Sequence, residues 1–295
     1  MKYLNFFALG GQDENGKDAY IFENENTIIM INAGNKIPIK NDYGIDSHIA
    51  EFEYINNNKK FQGIFITHAQ DEAFAALPYL LMESPNKNIY GSAFTINLVA
   101  NRLNKYNIKK NSYKLIIVKE NDEVQFNNLT VIPYEVLSSM PGSLGYKVTD
   151  NENTYFFVAN NTEGNIPNLP KVSYKELSKK IGNIDVLVAD TSKALERGKA
   201  SEKHDVSFYL DEKLKNNIES NERLIVAVYD EDMSTILEVM RVAKRHNKPV
   251  VIYGSAFDFA YKTYKKVFKY ENIADIMDFK EMNNSNNSII LVTST

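Results

Sequence analysis

A single histidine and a run of acidic side chains fall where a strand gives way to a helix. Gly63-Ile64-Phe65-Ile66-Thr67-His68 reads as a buried strand entering a loop, and Ala69-Gln70-Asp71-Glu72-Ala73 follows. Phe74-Ala75-Ala76-Leu77-Pro78-Tyr79-Leu80-Leu81 then reads as an apolar helix. His68 in that place can ligate a metal or carry a proton. Asp71 and Glu72 can add oxygen donors, and an oxygen-rich, histidine-poor set favours magnesium or manganese over zinc. One imidazole does not hold zinc, whose catalytic sites take three protein ligands and an open position. The ordinary reading of a lone histidine at a strand end is a hydrogen-bonded structural group. His48, His204 and His246 are scattered along the chain, and the absence of cysteine removes thiolate ligands and disulfides.

Four other segments carry chemistry-bearing residues. Gly11-Gln12-Asp13-Glu14-Asn15-Gly16-Lys17-Asp18 approaches the phosphate-binding pattern G-x-x-x-x-G-K-[ST], but Asp18 replaces the hydroxyl. Asp13, Glu14 and Asp18 repel phosphate, and Ala19-Tyr20-Ile21-Phe22 reads as a strand where a helix is required, so a tight hairpin is the better reading. Asn32-Ala33-Gly34 after Ile28-Ile29-Met30-Ile31 reads as a turn. Leu137-Ser138-Ser139-Met140-Pro141-Gly142-Ser143-Leu144-Gly145 and Ala159-Asn160-Asn161 read as polar loops.

Taken together, these segments resemble the RNase J family, β-CASP nucleases of the metallo-β-lactamase superfamily. The strand, T-H loop and helix ending A-L-P-Y-L-L are similar to the family's zinc-binding HxHxDH segment. His68 matches the first histidine. Gln70, Glu72 and Ala73 stand at the second histidine, the aspartate and the third histidine. Asn32 stands at the aspartate of D-C-G, Ser138 at the histidine of T-H-S-x-P-D-S-x-G, and Asn160 at the metal-bridging aspartate of G-D-F. Gly10-Gly11 through Gly16-Lys17 resembles the family's entry loop. Asp190-Thr191-Ser192 to Ser201-Glu202 resembles its exit into the β-CASP part. Downstream, Ser234 and Thr235 take the places of a histidine and an arginine, and Val251-Ile252-Tyr253-Gly254-Ser255 resembles V-V-G-R-S with Gly254 at the arginine. Ser234 and Ser255 are the candidate RNA or phosphate loop positions.

The resemblance implies a ribonuclease scaffold whose zinc ligands are mostly replaced, with no cofactor expected here and no catalytic residue assigned. Without a metal, a bound water keeps a pKa near ~15.7 instead of about 7. It also implies a chain that stops before the family's return strands, leaving a sheet edge and apolar surface for a partner. That partner is an RNase J-like chain or a second copy. RNA binding is expected to be weak, because basic groups that carry phosphate affinity are absent. The alternatives are a weak metal-dependent phosphodiesterase using His68, Asp71 and Glu72, and a decayed remnant without activity.

The elements that must position these residues follow from periodicity. Strands are expected at Tyr3–Leu9, Ala19–Phe22, Thr27–Ile31, Gly63–Thr67, Lys114–Val118, Glu123–Phe126, Leu129–Tyr134, Thr154–Val158 and Asp185–Ala189. Helices are expected at Glu72–Glu83, Ser92–Lys105 and Ser173–Lys180. That order suits an α/β protein of αββα metallo-β-lactamase type, incomplete, over residues 1–204. A partial β-CASP-like α/β domain over 205–295 follows, with helices at Val206–Ser220, Met233–His246 and Phe257–Lys269. Its strands are expected at Arg223–Tyr229, Pro249–Tyr253 and Ser288–Val292, in the βαβ order of a parallel sheet.

The 295 residues, 43% hydrophobic and 24% charged, fit an ordinary globular protein with no apolar run of membrane-spanning length. No membrane partner and a cytoplasmic location are expected. The net charge of −4 disfavours a nucleic-acid-coating protein, although a local basic groove is compatible with it. The clusters Lys105/Lys109/Lys110, Lys175/Lys179/Lys180, Arg241/Lys244/Arg245 and Lys262/Lys265/Lys266/Lys269 read as solvated helix faces.

Overall fold

The computed structural model describes residues 4–38, 43–162, 166, 169, 171–191, 195, 197, 206–216, 223–229, 231–269, 273–284 and 287–294. The expected boundary near residue 205, Tyr3, His204 and most of the Asp190–Glu202 segment lie outside these residues. Two compact units are present. The first holds Met1–Ser138, Gly142–Gly164 and Lys171–Ser192, and the second holds Ser139–Pro141, Asn165–Pro170 and Lys193–Thr295.

The first unit opens with β1 (Asn5–Gly10), β2 (Ala19–Glu23) and β3 (Ile28–Ile31), then a short pair, β4 (Asn35–Lys36) and β5 (His48–Ile49). β6 (Phe61–Phe65) leads to α1 (Asp71–Phe74) and α2 (Leu77–Glu83). β7 (Lys87–Gly91), α3 (Ala93–Lys105) and β8 (Tyr113–Ile117) follow. These build one sheet in the order β1-β2-β3-β6-β7-β8. It is antiparallel up to β3 and parallel from β3 onward. β9 (Val124–Phe126), β10 (Leu129–Glu135), β11 (Leu144–Thr149), β12 (Thr154–Val158), α4 (Tyr174–Ile181) and β13 (Val186–Ala189) complete the unit. Its second sheet runs β13-β12-β11-β10-β9, with only the β12–β13 pair parallel.

Side-chain alternation explains how the two sheets stack. Ile28 to Ile31 are all fully buried, because both faces of β3 are covered. Ile29 and Ile31, with Phe22 and Phe65, pack against Leu129, Val131, Tyr146 and Phe157 of the second sheet. Ile28 and Met30 face the other way, toward Leu77, Leu80, Val99 and Leu103 of α2 and α3. On the far side of the second sheet, Phe156 and Val158 meet Leu177 and Ile181 of α4. The layers are therefore helix, sheet, sheet, helix, as the αββα reading requires.

Local departures have local causes. The helix expected over Glu72–Glu83 breaks at Ala75 and Ala76. Pro78 lies in the first turn of α2, where its missing N–H costs nothing, and the Ala76 N–H bonds Ala33 O at 2.9 Å. β7 and β11 were not expected. Each is short and weakly alternating, and is held by neighbours on both sides. The hairpin expected at residues 11–18 does join two antiparallel strands, but through a longer loop with a register shift between Ala8 and Gly10.

The second unit contains α5 (Val206–Asn216), β14 (Leu224–Tyr229), α6 (Met233–Arg245), β15 (Val250–Tyr253), α7 (Ser255–Phe268), β16 (Ile276–Met277) and β17 (Ile289–Ser294). Its parallel sheet is ordered β14-β17-β15-β16. α6 buries Ile236, Leu237, Met240 and Ala243, the face its 3.6-residue period marks. No helix among the described residues is long and apolar enough to cross a membrane.

Candidate functional site

The carboxyl ends of neighbouring strands bring the marked residues together. β3 and β6 are parallel, with Ile31 opposite Phe65, so Asn32 and Thr67-His68 emerge side by side. β12 and β13 are parallel, with Val158 opposite Ala189, so Asn160 and Asp190 leave the second sheet at one end. Asn160 Nδ2 donates to Gln70 Oε1. Ser138, after β10, shares a 2.8 Å hydrogen bond with Ser143, before β11.

Backbone packing sets the loop around these side chains. Asn32 has φ 64°, a left-handed conformation that asparagine tolerates, and it makes the turn its sequence marks. Its N–H bonds Phe65 O at 2.9 Å. The Ala33 N–H bonds Ala73 O, and the Asp18 N–H bonds Glu72 O. Gly34 lies so close to the Glu72 carbonyl that a Cβ there would overlap it. Ala73, at a position where the resemblance places a ligand, is thus a backbone acceptor and a buried methyl.

A hydrogen-bond chain runs through the buried centre. Asn32 Oδ1 accepts from the Thr67 N–H at 2.9 Å and from Thr67 Oγ1 at 3.0 Å. Thr67 Oγ1 is 2.7 Å from His68 Nδ1, and His68 Nε2 is 3.3 Å from Glu72 Oε1. Thr67 has one hydroxyl proton and Asn32 Oδ1 can only accept. Both Thr67 contacts are satisfied when Nδ1–H of His68 donates to Thr67. The contact of Nε2 with Glu72 is a hydrogen bond when either atom carries the proton. Both nitrogens of this fully buried ring are engaged.

Asp71 leaves the cluster: Arg102 NH2 holds Asp71 Oδ2 at 2.5 Å, and the guanidinium lies over Phe74. In its place stands a residue that local pattern could not single out. Asp18, just before β2, has its carboxyl pushed up to about 7. Burial is the main cause, the Glu72 charge the next, and Asp190 adds to it, while Asn32 and Tyr20 oppose it. The Tyr20 hydroxyl is raised as well, first by burial and then by the Asp18 charge, and it donates to Gly11 O at 3.0 Å. Asn32 Nδ2 is buried and aimed near the Asp18 carboxyl, whose charge it favours. Sequence reading treated Asp18 only as a defect in a phosphate loop and gave Tyr20 no role.

Zinc, which the resemblance implies, does not fit this donor set. Asn32 Oδ1 is used by Thr67, His68 has no free ring nitrogen, Gln70 and Asn160 bond each other, and Ala73 has no donor atom. Among the described residues no group of three or more His, Cys, Asp and Glu is arranged to hold a metal. What the cluster can do is store a proton on Asp18 and tie two sheet ends together.

Ser234 and Ser255 lie in the second unit, at the starts of different helices. The Ser234 N–H bonds Ser139 O at 3.0 Å and its hydroxyl bonds Asp232, the residue that caps α6. Ser255 is exposed in the first turn of α7. The two therefore serve separate helix starts: β17 separates β14 from β15, the strands that lead into them.

No family model matches the chain. It is 27% identical over 302 residues to Uncharacterized protein MG423 of Mycoplasma genitalium, covering 100% of this chain and 53% of that protein. It is 28% identical over 258 residues to Ribonuclease J 2 of Streptococcus pyogenes, covering 86% and 46%. The chain thus spans about half the length of the curated relatives it matches. Among solved structures, a protein of unknown function from Enterococcus faecalis V583 shares its fold, with a TM-score of 0.61 and 11% identity. The match covers 95% of this chain and 74% of that one. With its αββα first unit and these relatives, the chain is RNase J-like, similar to Ribonuclease J 2 proteins over about half of their length.

Proposed function

We propose that this chain is a non-catalytic, cytoplasmic RNase J-like protein of RNA processing or degradation, with a β-CASP-like second unit, acting as a partner subunit of an active RNase J relative. The observation that carries this reading is the closed chain Asn32–Thr67–His68–Glu72, which occupies the atoms a metal would need. The ion pair from Arg102 to Asp71 argues against a rebuilt oxygen-rich site on His68, Asp71 and Glu72.

The partner role is supported by apolar strands at sheet edges. β13 bounds its sheet with Leu187 59% exposed, and β14 bounds the other with Ile225 66% exposed. Such edges template pairing with another chain. The proposed occupant is an RNase J-like chain.

Two measurements on the purified chain test the reading. Elemental analysis is expected to find less than one tightly held zinc per chain. Assays on 5′-monophosphate RNA with zinc, manganese or magnesium are expected to show no turnover. Turnover that disappears in a His68→Ala variant would replace this reading with the enzyme one.

A further inference from the structure

The basic clusters marked in the sequence do not share one fate. Lys180 is paired with Glu120 at 2.9 Å, Arg245 with Asp211 at 2.7 Å, Lys262 with Asp258 at 2.5 Å and Lys265 with Asp275 at 2.9 Å. Among the described residues, no ion pair holds Lys109 or Lys110. They also leave the helix face expected for them. α3 ends at Lys105, and both lie exposed in the turn before β8.

Parallel pairing gathers further lysines at that place. β6, β7 and β8 run the same way, so their amino ends share one rim of the sheet. Lys59 and Lys60 precede β6, Lys87 begins β7, and Lys114 is the second residue of β8. Lys87 lies opposite Tyr113, and Asn88 opposite Lys114. The Asn86 N–H bonds Ser112 O at 2.6 Å and the Ser112 N–H bonds Lys109 O at 2.9 Å, which ties the turns together. Neighbouring strands are about 4.8 Å apart, so the three strand starts set these lysines close to one another. Of them, Lys60 is partly neutralised, by Glu23 at 3.7 Å.

Lys87 is the informative member. It is half-buried, and its ammonium lies over the Phe61 ring, 5.1 Å from the centroid. Burial holds its pKa below the usual lysine value, with no carboxylate among the described residues to offset that cost. A cation desolvated among other cations is stabilised by a bound anion. This rim is also not the centre built around His68. Thr67 and His68 follow the carboxyl end of β6, and Lys59 and Lys60 precede its amino end. The strand between them puts roughly 16 Å between the two places.

We infer that the amino-end rim of β6, β7 and β8 binds the phosphodiester backbone of single-stranded RNA. Lys59, Lys87, Lys109, Lys110 and Lys114 meet the phosphates as point charges, which needs no fitted pocket. A protein segment would instead be anchored by apolar side chains in pockets. Exposed Asn57, Asn86 and Asn107, each in a left-handed turn of the same rim, supply neutral donors of the kind phosphates accept from. The net charge of −4 does not oppose this, because the local field at the rim is set by its own lysines. The choice of RNA among polyanions rests on the role proposed above.

Fluorescence anisotropy of a labelled oligouridylate with the full chain tests this. With about four lysines engaged, lowering the salt fourfold is expected to tighten binding by roughly 50-fold. Lys109→Gln, Lys110→Gln and Lys114→Gln together are expected to weaken binding at least tenfold and to reduce the salt slope by about 2. Lys262→Gln, Lys266→Gln and Lys269→Gln make the same charge change on exposed residues of the second unit and are expected to leave binding unchanged. Equal losses in the two triple variants would reduce the effect to net charge and overturn the surface. So would full-strength binding by the rim variant, or no binding at low salt. Displacement of the RNA by polyglutamate at equal charge concentration would assign the rim to an acidic protein and overturn the RNA assignment. Binding of RNA and complex formation with a relative are separate measurements, so failure of one leaves the other standing.

Discussion

Asp18 is the residue whose titration should be visible in the whole protein. Its unfolded carboxyl ionises near 3.8, whereas the folded one holds its proton to about 7. The folded state therefore binds more protons across that window, and stability falls as pH rises through it. Below about 4 the penalty is absent, and above about 7 it is complete, on the order of 4 kcal/mol at most. Asp18→Asn removes the ionisable group. In urea unfolding the variant is expected to be the more stable form at pH 8 and to lose most of the wild-type slope between pH 4 and 7. An unchanged slope would mean that Asp18 is solvated and not part of the cluster. His68 gives a second reading of the same centre. His68→Ala leaves Thr67 and Glu72 without their partner, and a loss of about 1–3 kcal/mol is expected from the same unfolding curves.

Two junctions between elements carry most of the local order. The turn after β3 and the start of α1 meet backbone to backbone, and Gly34 is the residue that permits it. Gly34→Ala is expected to cost about 3 kcal/mol or more, because the added methyl would overlap the Glu72 carbonyl and neither backbone can yield. Thermal unfolding would show it as a large drop in Tm or as failure to fold. α5 is held to α6 by polar contacts. Asp211 accepts from His246 and from Arg245, each at 2.7 Å, and Ser207 bonds Glu238 while Arg241 bonds Ser207. These pairs are partly exposed, so Asp211→Asn is expected to cost only about 1 kcal/mol. The loss should appear as faster hydrogen exchange confined to α5.

For the molecule as a whole, the apolar edge strands lead to a prediction about association. β13 and β14 present Leu187 and Ile225 to solvent, where an unpaired strand favours addition of another. Sedimentation of the purified chain with an active RNase J-like relative is expected to show a complex. Leu187→Lys with Ile225→Lys is expected to abolish it, since charges at a strand edge oppose pairing. Self-association that the same pair of changes abolishes would assign the edges to a second copy. A stable monomer that ignores the relative would reject the subunit reading and favour a remnant without a partner.

Much of this was legible in the residues. The buried run Ile28–Ile31, the strand before His68 and the 3.6-residue stripe of α6 follow from hydrophobic periodicity, which depends on near neighbours. That Asn32, His68, Ser138 and Asn160 follow strands was also readable, because each comes shortly after an apolar run. β7 and β11 were not, since their pairing comes from strands on both sides and not from their own pattern. Nor was the helix break at Ala76, whose N–H is drawn to Ala33 O across the fold. Asp18 is the clearest case. In sequence it belongs to an entry loop. Parallel pairing and the packing of Gly34 on α1 bring it beside Asn32 and toward Glu72 and Asp190. The sequence alone determined which donor types are present. Only the tertiary structure decided which of them share a proton, because that depends on distances between residues far apart in the chain.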